Sequence, residues 1–172
     1  MSAEYYPEFI TVTILHWQHL LKDDNCKQII PDSLLWLIKE GKCKVYAFVI
    51  MPNHIHLIWK ISDGFTRIEV QAAFFSFTCH EFKKYLKAND KSILEQHFVN
   101  DTDRAYQFWE RDSLAKECFT EKFLMQKLEY VHKNPCASHW DLAVIPENYK
   151  WSSASFYLLG DNRFEWLSHI KK

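Results

Sequence analysis

Two histidines one residue apart, His54 and His56, have the side-chain type and spacing of a metal-binding pair. They open a run of apolar and β-branched residues, His54–Ile61, whose composition predicts a strand. Alternate side chains of a strand share a face, so the two imidazoles would project side by side. Two imidazoles can supply two ligands to a divalent cation. The same spacing is also compatible with polar histidines on a solvated face of the strand.

A tyrosine and an asparagine late in the chain, Tyr130 and Asn134, form a second group of interest. Apolar residues at helical spacing predict a helix over Glu121–Lys133, with Thr120 as its N-cap and with Pro135 forcing its end. Residues four apart lie one turn apart on a helix, so Tyr130 and Asn134 would be neighbours. An amphipathic boundary tyrosine and a helix-capping asparagine are the alternative interpretation.

The elements that must position these residues follow from the hydrophobic pattern. Strands are predicted at Phe9–Leu15, Lys44–Met51 and His54–Ile61, with a bend at Pro52-Asn53 between the last two. Helices are predicted from Pro31 to Gly41, from Thr66 to about Asn89, over Glu121–Lys133 and over Ser153–Leu159. Residues 90–119 could hold a strand or short helices. This order predicts an α+β fold, a small antiparallel sheet with helices packed on one face.

Composition bounds the class of protein. The chain has 172 residues, of which 48% are hydrophobic and 25% charged, which is typical of one globular domain over residues 1–172. Its longest apolar run, Val45–Met51, is far shorter than the roughly 20 residues that span a bilayer. The first residues are acidic and lack an apolar stretch. We therefore expect a cytoplasmic protein without a membrane partner.

Glycines, cysteines and charge narrow the function further. Only three glycines occur, too far apart for a nucleotide-cradling loop. The five cysteines form no Cys-x-x-Cys pair, which indicates reduced thiols rather than disulfides or a zinc knuckle. A net charge of −1 argues against nonspecific binding of duplex DNA but allows a local basic patch. Aromatic residues make up 16% of the chain, and they could serve as core or as platforms for unstacked bases.

Together, the two groups resemble the single-tyrosine HUH transposases, particularly the branch of REP-associated tyrosine transposases. "HUH" stands for histidine, bulky hydrophobic residue, histidine, which is His54-Ile55-His56 here. The resemblance extends over most of the chain. Its motifs match Ala47–Leu57, Phe108–Arg111, Tyr130–Pro135 and a later element formed by Pro146, Tyr149 and Trp151–Ala154.

The resemblance implies a ferredoxin-like sheet with His54 and His56 on a central strand and the tyrosine helix beside it. It implies a metal-dependent endonuclease and strand transferase that acts on single-stranded DNA, in hairpin or palindromic form. Tyr130 would be the catalytic nucleophile and would form a 5′-phosphotyrosine intermediate. His54, His56 and Asn134 would hold Mg²⁺ or Mn²⁺, with asparagine in the position where much of the family has glutamine.

Three basic residues are candidate DNA contacts. Lys127 and Lys133 flank Tyr130 on its helix, where they could contact phosphate or favour the phenolate, and solvated surface lysines are the alternative. Arg111, beside Trp109, could contact guanine or phosphate, or could simply pack. His132 lies about 160° around the helix from Tyr130, so we expect it to be structural.

Two other functions stay open at this point. One is a zinc hydrolase built on His54, His56 and another histidine or acid, although no His-Glu-x-x-His motif and no third ligand at a fixed spacing is present. The other is a noncatalytic DNA-binding protein derived from a transposase. The sequence is compatible with a monomer and with a homodimer that exchanges tyrosine helices. The nuclease and strand-transferase assignment requires Tyr130 to lie beside the two imidazoles.

Overall fold

A four-stranded antiparallel sheet forms the centre of the molecule in the computed structural model, which describes residues 5–171. The strands are β1 (Glu8–Thr13), β2 (Cys43–Ile50), β3 (His54–Ile61) and β4 (Leu114–Glu117), in the order β2-β3-β1-β4. Strand β3 lies between β1 and β2 and is antiparallel to both, which is the split βαβ arrangement of ferredoxin-like folds. The predicted α+β class, and the placement of both histidines on a central strand, are confirmed.

Five α-helices occur in the described part of the chain. They are α1 (Asp24–Lys39), α2 (Arg67–Asn89), α3 (Lys91–Gln96), α4 (Glu121–Lys133) and α5 (Ala154–Leu159). Helix α2 begins with a capping box between Thr66 and Glu69, and the Thr120 side chain caps α4. Over residues 5–171, no helix combines the length and the apolar character that a membrane span needs.

Helix α1 begins at Asp24, earlier than the predicted start at Pro31. The Asp23 side chain caps it by accepting a hydrogen bond from the backbone N–H of Asn25 at 2.8 Å. Proline is typical of a first helical turn, but inside a helix it removes one backbone hydrogen bond. Burial of Cys26 and the other apolar residues of the first two turns offsets that loss.

One face of the sheet is covered by α1 and α2. Ile55, Leu57 and Trp59 of β3 are fully buried there. Glu8 pairs across the sheet with Trp59 and therefore shares this face, and it accepts a hydrogen bond from Arg67 at the start of α2 at 3.1 Å. Since α1 packs against α2, the two long helices lie together on this face. The predicted single face of helices holds for these two but not for α4, which packs on the opposite face.

Helix α4 adds a layer on the opposite face. His54, His56 and, across the sheet, Thr11 project there because they alternate with the residues of the first face. The ring of Tyr130 lies 5.9 Å from that of Phe9, a residue of the same face. Both faces of the central strands are apolar enough to be covered, and this second layer brings the tyrosine to the histidines.

Candidate active site

The rings of His54, His56 and Tyr130 form one cluster. The two imidazole centroids are 4.7 Å apart, and the Tyr130 centroid is 5.2 Å from that of His56. Strand alternation aligns the histidines, and α4 carries the tyrosine across the sheet to them. All three side chains belong to one chain, so the proximity needs no second subunit.

An open cavity of about 1130 Å³ lies over this cluster. Several residues predicted for the site line it together: His54, His56, Tyr130, Lys133 and Asn134. The remaining wall is largely aromatic and apolar. It includes Pro146, which belongs to the last of the matched motifs, and four residues that the sequence did not single out: Trp17, Leu114, Trp140 and Val144. A cavity with a polar floor and apolar walls fits a ligand with both a charged group and flat apolar rings.

Burial keeps both histidines of the pair neutral. It is the largest cause that lowers the pKa of His54 from 6.5 to about 4. The pKa of His56 is lowered to about 3, mainly by burial and further by the proximity of the ionisable groups of His54 and Lys127. Neutral imidazole is the form that binds a metal ion, so no proton has to leave either ring near neutral pH.

Neighbouring side chains fix the orientation of each ring. Nδ1 of His54 is 2.6 Å from Oδ1 of Asn53, and Nδ1 of His56 is 2.8 Å from Oγ1 of Thr11. These hydrogen bonds engage Nδ1 of each ring, and Nε2 of His56 has no hydrogen-bond partner. Bonding through one ring nitrogen, with the other left for the ion, is the usual arrangement around metal-binding histidines. Thr11 and Thr13 alternate with apolar residues on β1, and this period of two was the available sequence signal for them.

Two buried polar atoms at the cavity have no hydrogen-bond partner: Nε2 of His56 and Oδ1 of Asn134. Unpaired buried polar atoms are costly, and a bound ion is one of the few explanations for them. Asn134 also lies close enough to His54 to oppose the lowering of its pKa. The donor set of two imidazoles and one amide oxygen therefore fits a divalent cation such as Mg²⁺ or Mn²⁺.

A zinc-hydrolase site finds no support in the arrangement of side chains. Among residues 5–171, no group of three or more histidine, cysteine, aspartate or glutamate side chains is placed to hold a metal. His139 and Cys136 line the cavity, but they do not complete such a group with His54 and His56. Zinc sites in hydrolases normally have three ligands of these types.

The three basic residues lie in different surroundings. Nζ of Lys127 is 5.4 Å from the centre of the Tyr130 ring, beside the site. Lys133 lines the cavity and pairs with Glu129 on the exposed surface. Arg111 does not line this cavity: it pairs with Asp101 at 2.9 Å and borders a neighbouring cavity.

Two other residues of the matched motifs are part of the core. His132 is buried, and its Nε2 lies 2.8 Å from Oγ of Ser153. Trp109 is buried and donates from its indole nitrogen to Oγ1 of Thr78 at 2.9 Å. Neither residue lines the cavity, in agreement with the structural role expected for His132.

Comparison with known proteins is informative only at the level of structure. Neither a protein-family model nor a curated protein matches the chain. A solved structure of a REP-associated tyrosine transposase bound to a REP hairpin is similar, with a TM-score of 0.65 and 14% identity, over 100% of this chain and 91% of that chain. A candidate transposase from Deinococcus radiodurans R1 gives a TM-score of 0.48 at 16% identity, over 76% of this chain and 92% of that one.

The first of these likenesses shows that the chain is an α+β protein with a transposase fold. Within that class, the fold is that of a REP-associated tyrosine transposase. The resemblance drawn from the motifs is thereby confirmed at the level of the fold.

Proposed function

We propose that this protein cuts and rejoins single-stranded DNA through a covalent bond to Tyr130. The observation that carries the proposal is the cavity in which the phenol meets two neutral imidazoles and the unpaired amide oxygen of Asn134. This combination supplies a nucleophile and a cation site, which are the two parts that phosphodiester transfer needs. The REP hairpin in the similar solved structure supports hairpin DNA as the substrate.

The proposed reaction exchanges one phosphodiester bond for another. Oη of Tyr130 attacks phosphorus and loses its proton to water, while the bond between phosphorus and the 3′ oxygen breaks. The departing 3′ oxygen takes up a proton, which leaves a free 3′ hydroxyl and a 5′-phosphotyrosine. A phenol, with an unperturbed pKa of about 10, is a better leaving group than an alkoxide, so a 3′ hydroxyl can later reverse the step on a new strand.

His54, His56 and Asn134 would hold the Mg²⁺ or Mn²⁺ ion. When bound, such an ion polarises the scissile phosphate and stabilises the leaving oxygen. The ligands carry no charge themselves, because both histidines are neutral and the amide is uncharged. The full positive charge would therefore act on the phosphate.

Lys127, Lys133 and Arg111 are proposed to hold the DNA. Lys133 and Arg111 are both about two-thirds exposed and pair with Glu129 and Asp101, respectively. Exposed ion pairs of this kind are weak, so at little cost Lys133 can exchange its carboxylate for a phosphate, and Arg111 can exchange its carboxylate for an acceptor atom of a base. Lys127 lies beside Tyr130 and would contact the phosphate that Tyr130 attacks.

The test is formation of a covalent protein–DNA adduct. The protein is incubated with Mn²⁺ and a labelled DNA hairpin that carries single-stranded extensions, and the products are separated under denaturing conditions. An adduct is expected, and Tyr130→Phe should abolish it. Tyr6→Phe is the matched control because Tyr6 is 45% exposed and Tyr130 48%. An adduct that survives Tyr130→Phe contradicts the nucleophile, and hairpin binding without any adduct indicates a noncatalytic DNA-binding protein.

A further inference from the structure

A second, smaller cavity adjoins the one that contains Tyr130. It is bordered by Gln107, Glu110, Arg111 and Asp112 together with Thr13 and Trp17. Thr13 and Trp17 also line the larger cavity, so the two cavities meet at these residues. A DNA strand that passes from one cavity to the other would therefore contact the indole of Trp17.

Trp17 is unusually exposed for its size, with 65% of its surface accessible. A tryptophan in solvent forgoes the large apolar burial that normally places it in a core or an interface. By contrast, Trp109, which forms a β-bridge with Ile14 close to Trp17 in the chain, is only 4% exposed. An exposed aromatic ring at the edge of a cavity is a candidate contact for a flat ligand.

The backbone that presents Trp17 is held in a rare conformation. His16 and Trp17 both have positive φ, 57° and 58°, a region that bulky residues seldom occupy. The backbone N–H of His16 donates to Oε1 of Glu110 at 2.6 Å, and that of Trp17 donates to the carbonyl of Ile14 at 2.9 Å. Ile14 in turn forms a β-bridge with Trp109. The indole is therefore held outward by its surroundings, as strained residues at functional sites often are.

We propose that Trp17 is a stacking platform for one unpaired base next to the phosphate that Tyr130 attacks. The inference rests on the proposed function, which places a phosphate in the larger cavity. A base attached to that nucleotide lies within one sugar of it, and the two cavities share Thr13 and Trp17, so such a base can reach the second cavity. The stacked base would point into the second cavity.

The charges of the second cavity favour a base there over a phosphate. Glu110 and Asp112 contribute two carboxylates against one guanidinium, from Arg111, so a phosphate would be repelled. Carboxylates accept hydrogen bonds from the amino groups of bases, and a guanidinium donates to base acceptors. Stacking itself tolerates any base, so base preference would come from these polar groups rather than from Trp17.

The test is a double-mutant cycle between protein and DNA, in the Tyr130→Phe background so that no cleavage intervenes. Each base of the single-stranded extension is replaced in turn by an abasic site, and the affinity is measured by fluorescence anisotropy. At one position of the extension, replacing the base by an abasic site should weaken binding by about tenfold, and so should Trp17→Ala. The two changes combined should weaken binding by no more than either change alone. Trp17→Tyr should restore most of the loss, because a phenol ring also stacks.

Trp36→Ala is the matched control, since Trp36 is also partly exposed but lies on α1, on the other face of the sheet. Equal affinities for Trp17→Ala and the parent, or losses that simply add, would overturn the inference. An adduct formed by the unsubstituted protein would then still support the proposed function. Coupling between Trp17 and one base, with no adduct formed by the unsubstituted protein, would support the stacking platform and contradict the proposed nuclease function. If the protein binds no hairpin DNA at all, both proposals are contradicted.

Discussion

At the scale of single residues, His56 links the two halves of the site. Its ring lies 4.7 Å from that of His54 and 5.2 Å from that of Tyr130. Its Nδ1 is bonded to Oγ1 of Thr11, while its Nε2 is buried without a partner. When Nδ1–H donates to Thr11, the lone pair is on Nε2 and faces the cavity. In that tautomer, Thr11 holds the ring in the orientation that can bind a cation.

This role predicts that Thr11→Val weakens metal binding without removing a ligand. Valine keeps the shape of threonine but cannot accept the hydrogen bond, and loss of such a partner typically costs about 10- to 100-fold in metal affinity. The measurement is a calorimetric titration with Mn²⁺. Thr13→Val is the control, because Thr13 lines the same cavity from the same strand and pairs in register with His54. Equal losses in the two variants would show that the hydroxyl of Thr11 has no special part.

At the scale of secondary structure, a buried series of hydrogen bonds joins helix α4 to strand β2. Nε2 of His132 is 2.8 Å from Oγ of Ser153, which also accepts from the backbone N–H of Phe48 at 3.0 Å. Burial lowers the pKa of His132 to about 4, so the ring is neutral near pH 7. Because Tyr130 lies on the same helix, these hydrogen bonds fix the rotation of α4 about its axis and its distance from the sheet, and thereby the position of the phenol.

Ser153→Ala is therefore expected to lower the free energy of unfolding by about 1–3 kcal/mol, since it leaves His132 and the N–H of Phe48 unpaired in the core. His132→Ala should cost a similar amount or more, and the double variant less than the sum of the two. Urea unfolding measures all three. Ser155→Ala, whose hydroxyl bonds Asp161 at the surface, should change stability by less than about 0.5 kcal/mol. Strict additivity would mean that the two side chains act independently.

The elements that hold the site were predictable because their signals are local. Strand β3 and helix α4 have the predicted bounds, His54–Ile61 and Glu121–Lys133, since alternation, helical spacing and a capping threonine are all present in the sequence. The predicted start of α1 at Pro31 was wrong. Proline is a strong helix-start signal, but burial of the apolar residues before it extends the helix back to Asp24. A tertiary contact decided that case, and no local pattern reports it.

The second cavity could not be predicted for the same reason. Its walls come from two distant segments, residues 13–17 and 107–112, which meet through the bridge between Ile14 and Trp109. Residues 90–119 showed no clear period, because in the structure they hold only the short α3, the short β4 and irregular chain. The exposure of Trp17 likewise depends on the backbone that holds it, and an exposed and a buried tryptophan look alike in a sequence.

At the scale of the whole molecule, histidines are four of the eleven buried polar or charged residues in the described part of the chain. These four are His54, His56, His97 and His132, and burial lowers the pKa of each below its usual 6.5. In the unfolded chain the same rings would take up protons below about pH 6.5. Between that pH and the lowered pKa values, the unfolded state binds more protons than the folded state, so stability falls as the pH falls.

The metal-free protein is therefore expected to lose stability steeply from pH 6.5 towards pH 4, by up to about 1.4 kcal/mol per pH unit for each such histidine. His97 offers a test away from the site: its Nδ1 bonds the carbonyl of Gln107, and a glutamine at position 97 can donate the same bond without titrating. Urea unfolding at a series of pH values should give a shallower slope for His97→Gln than for the parent. His80→Gln, at an exposed position, should leave the slope unchanged. If the parent and His97→Gln lose stability in parallel, His97 is protonated in the folded state and its burial does not keep it neutral.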